Sequence, residues 1–456
     1  MLLEKAGIPY DVYERASEVK PLESGMTLNA TIAPMLRQVN LFDEFVSLSK
    51  RVSSIQVARE DRTFDFAITG GFDLAMERYG GETRLISRPV LYDLFLRQVP
   101  KERIHLNTKI LNVEQDGNDV RIYCEDGSII IGNILVGADG AHSTIHKNIY
   151  AQLKEKGALL PQDDMPLLFS TVCLVGQTRR LTPEEIPFLA EEECQFIRIV
   201  GDSKPYADDS FLDSEWGSET AEEMCDQVKN FPVIAGGNKR LTVGDLINWT
   251  PKGLISKVML EEKVFQTWYS GRTVLMGDGN TEKQCHKCAC LEAMCFSDDP
   301  CVNKAFFSEC VVMACHKFNP SGGAGAGNAI HDAIVLANHI HALSLHPAAD
   351  EIEHAFEACK TERIQWVEKA FATSNMTQCL VGQGIKPTIL RFVMRNMLEF
   401  MKQRAAEQMF IYRPQVAFLP LDDTQALFKP APQHSLHICI ERLKDQDDQS
   451  ELAQTV

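Results

Sequence analysis

The sequence predicts an α/β fold: a Rossmann-like nucleotide-binding domain, an interleaved mixed-sheet domain and a set of C-terminal helices. Three observations predict it. A short helical segment, Leu2 to Ala6, passes through Gly-Ile-Pro into the strand "YDVYE", which closes on Glu14. Two buried-strand patterns, "NILVGADG" and "GRTVLMGD", each end at an aspartate beside glycine. A Gly-rich turn, "PSGGAGAG", opens a long run of helical periodicity.

The first element carries the most chemistry. A strand that closes on a carboxylate after a helix is the second half of a dinucleotide-binding βαβ unit, where the acid accepts hydrogen bonds from ribose hydroxyls. The first half, a strand and G-x-G-x-x-G turn, belongs about 20 residues upstream. No Gly-rich loop precedes Leu2, so the first βα unit is expected to be missing from this sequence. Next, "TLNATIAPMLRQVNLFDEFVSL" reads as helical by its apolar spacing, and "TRLISRPVLYDLFLRQV" as a strand turning into a helix around Arg88. From Ile110 the chain alternates apolar and polar residues around Asp116-Gly117 and Asp126-Gly127, the pattern of an antiparallel meander with tight turns. It leads into "NILVGADG".

Residues 168–257 are mixed, with one clear strand, "CQFIRIV". Helical periodicity returns in "GNAIHDAIVLANHIHAL" and "EIEHAFEACKTERIQWVEKAFAT", and the polar tail after Pro430 is expected to fray. The expected organisation is a nucleotide-binding domain over 1–167, a substrate domain over 168–257, and a return to the first domain over 258–345. A helical region at 346–430 and a tail at 431–456 complete it.

Composition narrows the function. Apolar residues make up 45% of the 456 and charged residues 24%, the balance of a globular enzyme. A net charge of −17 argues against a nucleic-acid partner, which requires clustered Lys and Arg. No run approaches the roughly 18 apolar residues of a transmembrane segment, and the start lacks the basic and apolar regions of a secretion signal. A cytoplasmic protein is expected, its 14 cysteines thiols rather than disulfides. Six of them (Cys285, Cys288, Cys290, Cys295, Cys301 and Cys310) crowd between Gly279 and Met313.

Glu14 at a strand end, "GADGAHSTIH" at 137–146 and "GD…PSGGAGAGNAIHDA" at 277–333 follow one another in an order that resembles the FAD-dependent monooxygenases built on the para-hydroxybenzoate hydroxylase fold. Among these the chain looks closest to the fungal enzymes of secondary metabolism. The resemblance implies FAD as cofactor, NADPH as reductant and O2 as co-substrate. One oxygen atom would go to a small polyketide or terpenoid, on an activated ring or an alkene. It implies that Glu14 holds the adenosine ribose, that Gly25 lets backbone pass close to FAD, and that Arg88 supplies a cation near the pyrophosphate. Asp139 and Gly140 would serve FAD and NADPH, with His146 standing where relatives carry Arg. Asp278 would accept from ribitol hydroxyls, and the helix after the Gly-rich turn, with Ala326 as its contact, would face the flavin. Arg198 in "QFIRIV" is a candidate pocket cation and equally a surface arginine; Tyr206 is a weaker candidate. His316 reads as packing the Gly turn, Trp249 and Trp268 as core aromatics. A flavin reductase with no oxygen step, and an inactive remnant, are the alternatives.

In that family the pattern G-D-A-C-H-K-x-x-P-x-x-G-x-G-A is continuous. Here, removing Gly279 through Met313 restores it in frame, so these 35 residues read as an insertion into a finished motif. A zinc site is the competing reading, but only Cys285 and Cys288 keep the C-x2-C separation, and no metal is expected. The resemblance also implies an aromatic-rich strand after "QFIRIVGDSKPYA", where this chain runs instead into "DDSFLDSEWG".

Overall fold

The fold is given by a computed structural model. It describes the chain outside residues 18–24, 53, 59–63, 69–71, 73, 141–142, 166–168, 180, 183, 185–195, 201–217, 232–240, 262, 278–288, 295–305, 308–314, 318–322, 382–383 and 443–456. The helix Leu2–Lys5 leads to the strand Val12–Tyr13, which pairs in parallel with Ile104–His105. The Glu14 N–H donates to the His105 carbonyl at 2.9 Å, so the pairing runs to the acid itself. In a separate sheet, Gly25–Leu28 and Lys50–Arg51 flank the strand Arg84–Ser87, both antiparallel to it.

The expected single helical run from Thr27 onward is corrected here. Thr27 and Leu28 belong to the strand, and the Asn29 side chain accepts from the Thr31 N–H at 3.1 Å to open a 3-10 turn, Ala30–Ile32. An Asx cap of this kind offers the backbone an alternative to helix. Two short helices follow, Ala33–Gln38 and Phe42–Ser47, separated at Asn40, whose φ of 60° lies in the left-handed region. Their apolar spacing still works: Ile32, Met35, Leu36 and Phe45 bury into one core with Met26, Leu28, Leu91, Leu94, Ala326 and Ile334. Each of the Ile, Leu, Met and Phe side chains stabilises the fold by roughly 1.5–3 kcal/mol.

The meander forms as the alternation predicts, with strands Ile110–Gln115, Val120–Cys124 and Ile129–Gly132. Asp116 accepts from the backbone of Asn118 and Asp119, and Asp126 from Ser128, which closes the two turns. Leu135–Gly137 then pairs in parallel with Thr273–Leu275. A Cβ at Gly137 would come within 2.9 Å of both Ile145 and Leu275 side chains, so this strand end must be glycine.

A five-stranded sheet runs in the order Phe196–Val200, Ala289–Met294, Phe306–Phe307, Phe169–Gln177, Ser256–Glu261. Two of its strands come from the stretch read as an insertion, and Arg198 stands opposite Glu292 in register. The cysteines of that stretch lie outside the described residues or on strands whose side chains do.

The carboxy-terminal part is helical: Gly325–His341, the 33-residue Ala349–Val381, Ile385–Asn396 and Glu399–Phe410. Among the described residues no helix is long and apolar enough to cross a membrane. The expectation of a frayed tail after Pro430 is corrected over 431–442. Residues 434–442 form a helix whose fully buried Cys439 packs with Leu436 and Ile440 against Ala342, Ala417 and Phe418. The polar residues that suggested fraying are interior partners. The Ser435 N–H donates to Glu362 at 2.6 Å and the Gln433 amide to the Arg413 carbonyl at 2.7 Å.

The 325–341 helix also buries two histidines. Burial lowers the His339 imidazole to about 4, with the nearby charge of His434 adding to it, and burial holds His331 well below its ordinary value. A histidine lowered in the folded state contributes stability above its unfolded value of 6.5 and loses it as pH falls. The expected result is a stability that declines below about pH 6.5 by up to about 1.4 kcal/mol per pH unit per histidine. Urea unfolding at stepped pH checks it, and His339→Gln should flatten the slope.

Candidate functional site

Three separated pieces of sequence meet at one end of the amino-terminal sheet. Gly25 stands opposite Ser87 in register, and Ser87 is the residue before the helix Arg88–Leu96. Gly25 and Arg88 are therefore neighbours. Tyr92 lies one turn beyond Arg88, and its phenol is pushed up by burial and then by the charge of Glu14. The Glu14 carboxylate thus lies within electrostatic range of the same helix. One of its oxygens accepts from the Ala16 N–H at 2.9 Å, which fixes the side chain at the strand end.

The third piece is the Gly-rich turn. Gly323 has φ +56°, and a Cβ there would sit 3.3 Å from the Thr27 Cβ, so Gly323 lies directly on the strand 25–28. The 325–341 helix starts immediately after it. Ala324 precedes the helix and no side chain caps it, which leaves the first-turn N–H groups of Gly325, Ala326 and Gly327 outside the helix's own ladder. A Cβ on Gly327 would meet nothing within 4 Å, while Ala326 is buried in the same core as Met26. An uncapped, small-residue helix end resting on a glycine-bearing strand fits an electron-rich planar group, toward which N–H donors and the helix dipole are favourable. With an acid and an arginine at the far side, these residues fit FAD.

Behind this surface lies a buried ionic knot. Asp332 on the 325–341 helix receives the Arg363 Nε at 2.7 Å, the Gly277 N–H at 3.2 Å and lies 2.9 Å from His316 Nε2. Burial works against the Asp332 charge, but Arg363 and then His316 outweigh it and bring the carboxyl down to about 2. Arg363, fully buried, also donates to Asn328 Oδ1 at 2.7 Å. The Gly277 carbonyl in turn accepts from the Cys315 and His316 N–H groups at 2.6 and 2.9 Å. Cys315, His316 and Asp332 place a thiol, an imidazole and a carboxylate within 4.8 Å, ligand types that suit a metal. The positive charge at this carboxylate is supplied by Arg363, and burial pushes the Cys315 thiol well up, away from the thiolate a metal requires.

The structure thus brings Glu14, Gly25, Arg88 and Ala326 together. Asp278 lies outside the described residues, next in sequence to Gly277. The Asp139 carboxylate caps the helix Thr144–Glu155, accepting from the Thr144 and Ile145 N–H groups at 2.7 and 3.2 Å and from the Ser143 hydroxyl. Gly140 follows with φ +84°. His146 turns inward, its ring 3.9 Å from Tyr150 and 4.9 Å from Phe265. His316 is wholly buried in the knot, and Trp268 is buried, its indole N–H on the Phe265 carbonyl. Trp249 is half-buried beneath Arg179. The Arg198 side chain and Tyr206 lie outside what is described. Sequence reasoning passed over Thr27, Asp332 and Arg363. Asp332, seven residues after the helix start in "GAGNAIHDA", was the one with a local signal: a carboxylate in an otherwise apolar helix face.

Residues 1–280 match the profile of the FAD binding domain family, and the chain belongs to that family. Its sequence is 25% identical over 391 residues to the FAD-dependent monooxygenase ptmM of Penicillium ochrochloron, spanning 82% of this chain and 83% of that one. It is 26% identical over 365 residues to ausM of Penicillium brasilianum, 75% of this chain and 66% of the relative. Among solved structures, Klebsiella pneumoniae HpxO complexed with FAD and uric acid superposes with a TM-score of 0.60 at 14% identity, over 90% of this chain and 92% of HpxO. A salicylate hydroxylase substrate complex gives 0.53 at 15%, over 91% and 95%. The fold is that of the para-hydroxybenzoate hydroxylase-like flavoproteins, and the sequence relatives are fungal FAD-dependent monooxygenases.

Proposed function

We propose that this chain is an FAD-dependent monooxygenase that uses NADPH and O2 to hydroxylate or epoxidise a small organic molecule, a polyketide or terpenoid intermediate of fungal secondary metabolism. The observation that carries the reading is the convergence of Glu14, the Gly25–Arg88 corner and the uncapped 325–341 helix on one surface. When bound, FAD supplies the redox and oxygen-transfer chemistry; the protein supplies position, charge and exclusion of water. In this reading Glu14 accepts hydrogen bonds from the adenosine ribose, and Arg88 lies near the pyrophosphate as a fixed cation. Asp278 accepts from ribitol hydroxyls. The N–H groups of Gly325 to Gly327 face the flavin, with Ala326 in contact, and favour negative charge on it.

Asp139 and Gly140 belong to the cofactor and reductant side, with Asp139 acting through the helix it caps. Arg198 is the candidate cation of a substrate domain over 168–257, where it would hold an anionic or phenolic group. The names of the relatives support the class of reaction and the fungal setting. The test is oxygen balance. With FAD-loaded protein and an organic substrate, NADPH oxidation should rise on substrate addition, consume O2 and leave one labelled atom from 18O2 in the product. Reduced product formed without oxygen uptake would replace this reading with a flavin reductase.

A further inference from the structure

The helix Ile385–Asn396 buries none of its residues. Its large apolar side chains are on the outside: Ile385 is 80% exposed, Ile389 58%, Phe392 66% and Val393 46%. The spacing i, i+4, i+7, i+8 gathers these four onto one stripe of the helix. A helix of a globular protein turns such a stripe toward its core, and this one turns it to solvent. Leu398, Phe400 and Met401, also exposed, carry the apolar surface across the turn into the helix Glu399–Phe410. A contiguous apolar patch of this kind marks an interaction site.

Charge identifies the occupant. At about 100° per residue Lys386 borders the stripe on one side and Arg395 on the other. Between 385 and 404 the chain has five cations (Lys386, Arg391, Arg395, Lys402 and Arg404) and one carboxylate, Glu399, in a protein of net charge −17. Two copies meeting through this face would bring like charges together, since a two-fold contact uses the same patch twice. An anionic lipid surface complements both features at once. The Arg391 guanidinium donates to the Leu380 carbonyl at 3.0 Å, which ties the helix to the end of the 349–381 helix and fixes which side faces out. We infer that the 385–404 segment docks this protein on the surface of an anionic membrane, with Ile385, Ile389, Phe392 and Val393 entering the headgroup boundary and the flanking cations meeting lipid phosphates and carboxylates. The segment lies in the interface plane rather than across it.

Flotation of the full chain with phosphatidylcholine vesicles, alone or with about one-third phosphatidylserine, tests the inference. Binding to the anionic vesicles should exceed binding to the neutral ones by about tenfold and fall in high salt. Phe392→Glu should abolish flotation, and Lys386→Glu should weaken it by about fivefold. Because both side chains are exposed, far-UV circular dichroism and FAD uptake should be unchanged. Equal binding to neutral vesicles, or no binding to either, overturns the inference. So does a dimer by light scattering that Phe392→Glu returns to monomer, which would assign the face to a second copy.

Discussion

Excision of residues 279–313 is expected to give a chain that folds and binds FAD about tenfold more tightly, a gain of about 1.4 kcal/mol. Joining Asp278 to Ala314 makes Gly277 and Cys315 the first and fourth residues of a turn. The Gly277 carbonyl already accepts from the Cys315 N–H at 2.6 Å and from the His316 N–H at 2.9 Å. After excision those become i→i+3 and i→i+4 bonds of a tight turn. Replacing the 37 residues between Gly277 and Cys315 by two relieves about 2–3 kcal/mol of loop-closure cost and holds Asp278 in the turn. The opposing term is the loss of the strands Ala289–Met294 and Phe306–Phe307 from the five-stranded sheet, which leaves Phe169–Gln177 paired with Ser256–Glu261. The proposed cofactor surface contains neither lost strand, so the turn is expected to decide the affinity. Flavin fluorescence titration of both chains measures it. An excised chain that cannot fold would make the stretch part of the architecture.

Arg363→Met should cost about 3–5 kcal/mol, because it strands a fully buried carboxylate. Asp332 would keep His316, the Gly277 N–H and the weak Cys315 thiol donor as partners. The double variant Asp332→Asn/Arg363→Met should recover a good part of the loss, since replacing both charges removes the uncompensated one. The pH dependence has a definite sign. Asp332 is lowered from 3.8 to about 2, so its contribution of about 2 kcal/mol is complete above pH 3.8 and lost as pH falls through 2. Without Arg363 the acid-unfolding midpoint should move upward. Denaturant unfolding at neutral and acid pH reads both effects.

Much of the proposed cofactor surface was legible because it is written in short, local motifs. The acid closing the first strand, the arginine after "LIS" and the Gly-rich helix start each occupy a few consecutive residues, and the structure brings all three together. The strand at Gly25–Leu28 was not legible beyond its glycine. Thr27 and Leu28 continue the apolar spacing of the helices that follow, and only the Asn29 cap divides them. Arg363 gave no signal, since its partner lies 31 residues away on another helix and nothing in "CKTERIQW" separates a buried arginine from a solvated one. The tail misled for a related reason. Ser435 and Gln433 are polar because they satisfy buried groups, among them Glu362 and the Arg413 carbonyl. Asp139, read from its motif as a cofactor residue, has a structural task as well: one oxygen caps a helix through the Thr144 and Ile145 N–H groups and the other accepts from the Ser143 hydroxyl.

Titration of the purified chain with FAD, followed by flavin fluorescence, is the most direct measurement of the converging surface. One FAD per chain is expected, and Glu14→Ala and Arg88→Met should each weaken it by about tenfold to a hundredfold, the worth of a hydrogen bond to a charged group. A chain that takes up no FAD, or variants that bind it as tightly as the parent, would contradict the assignment of these residues to the cofactor.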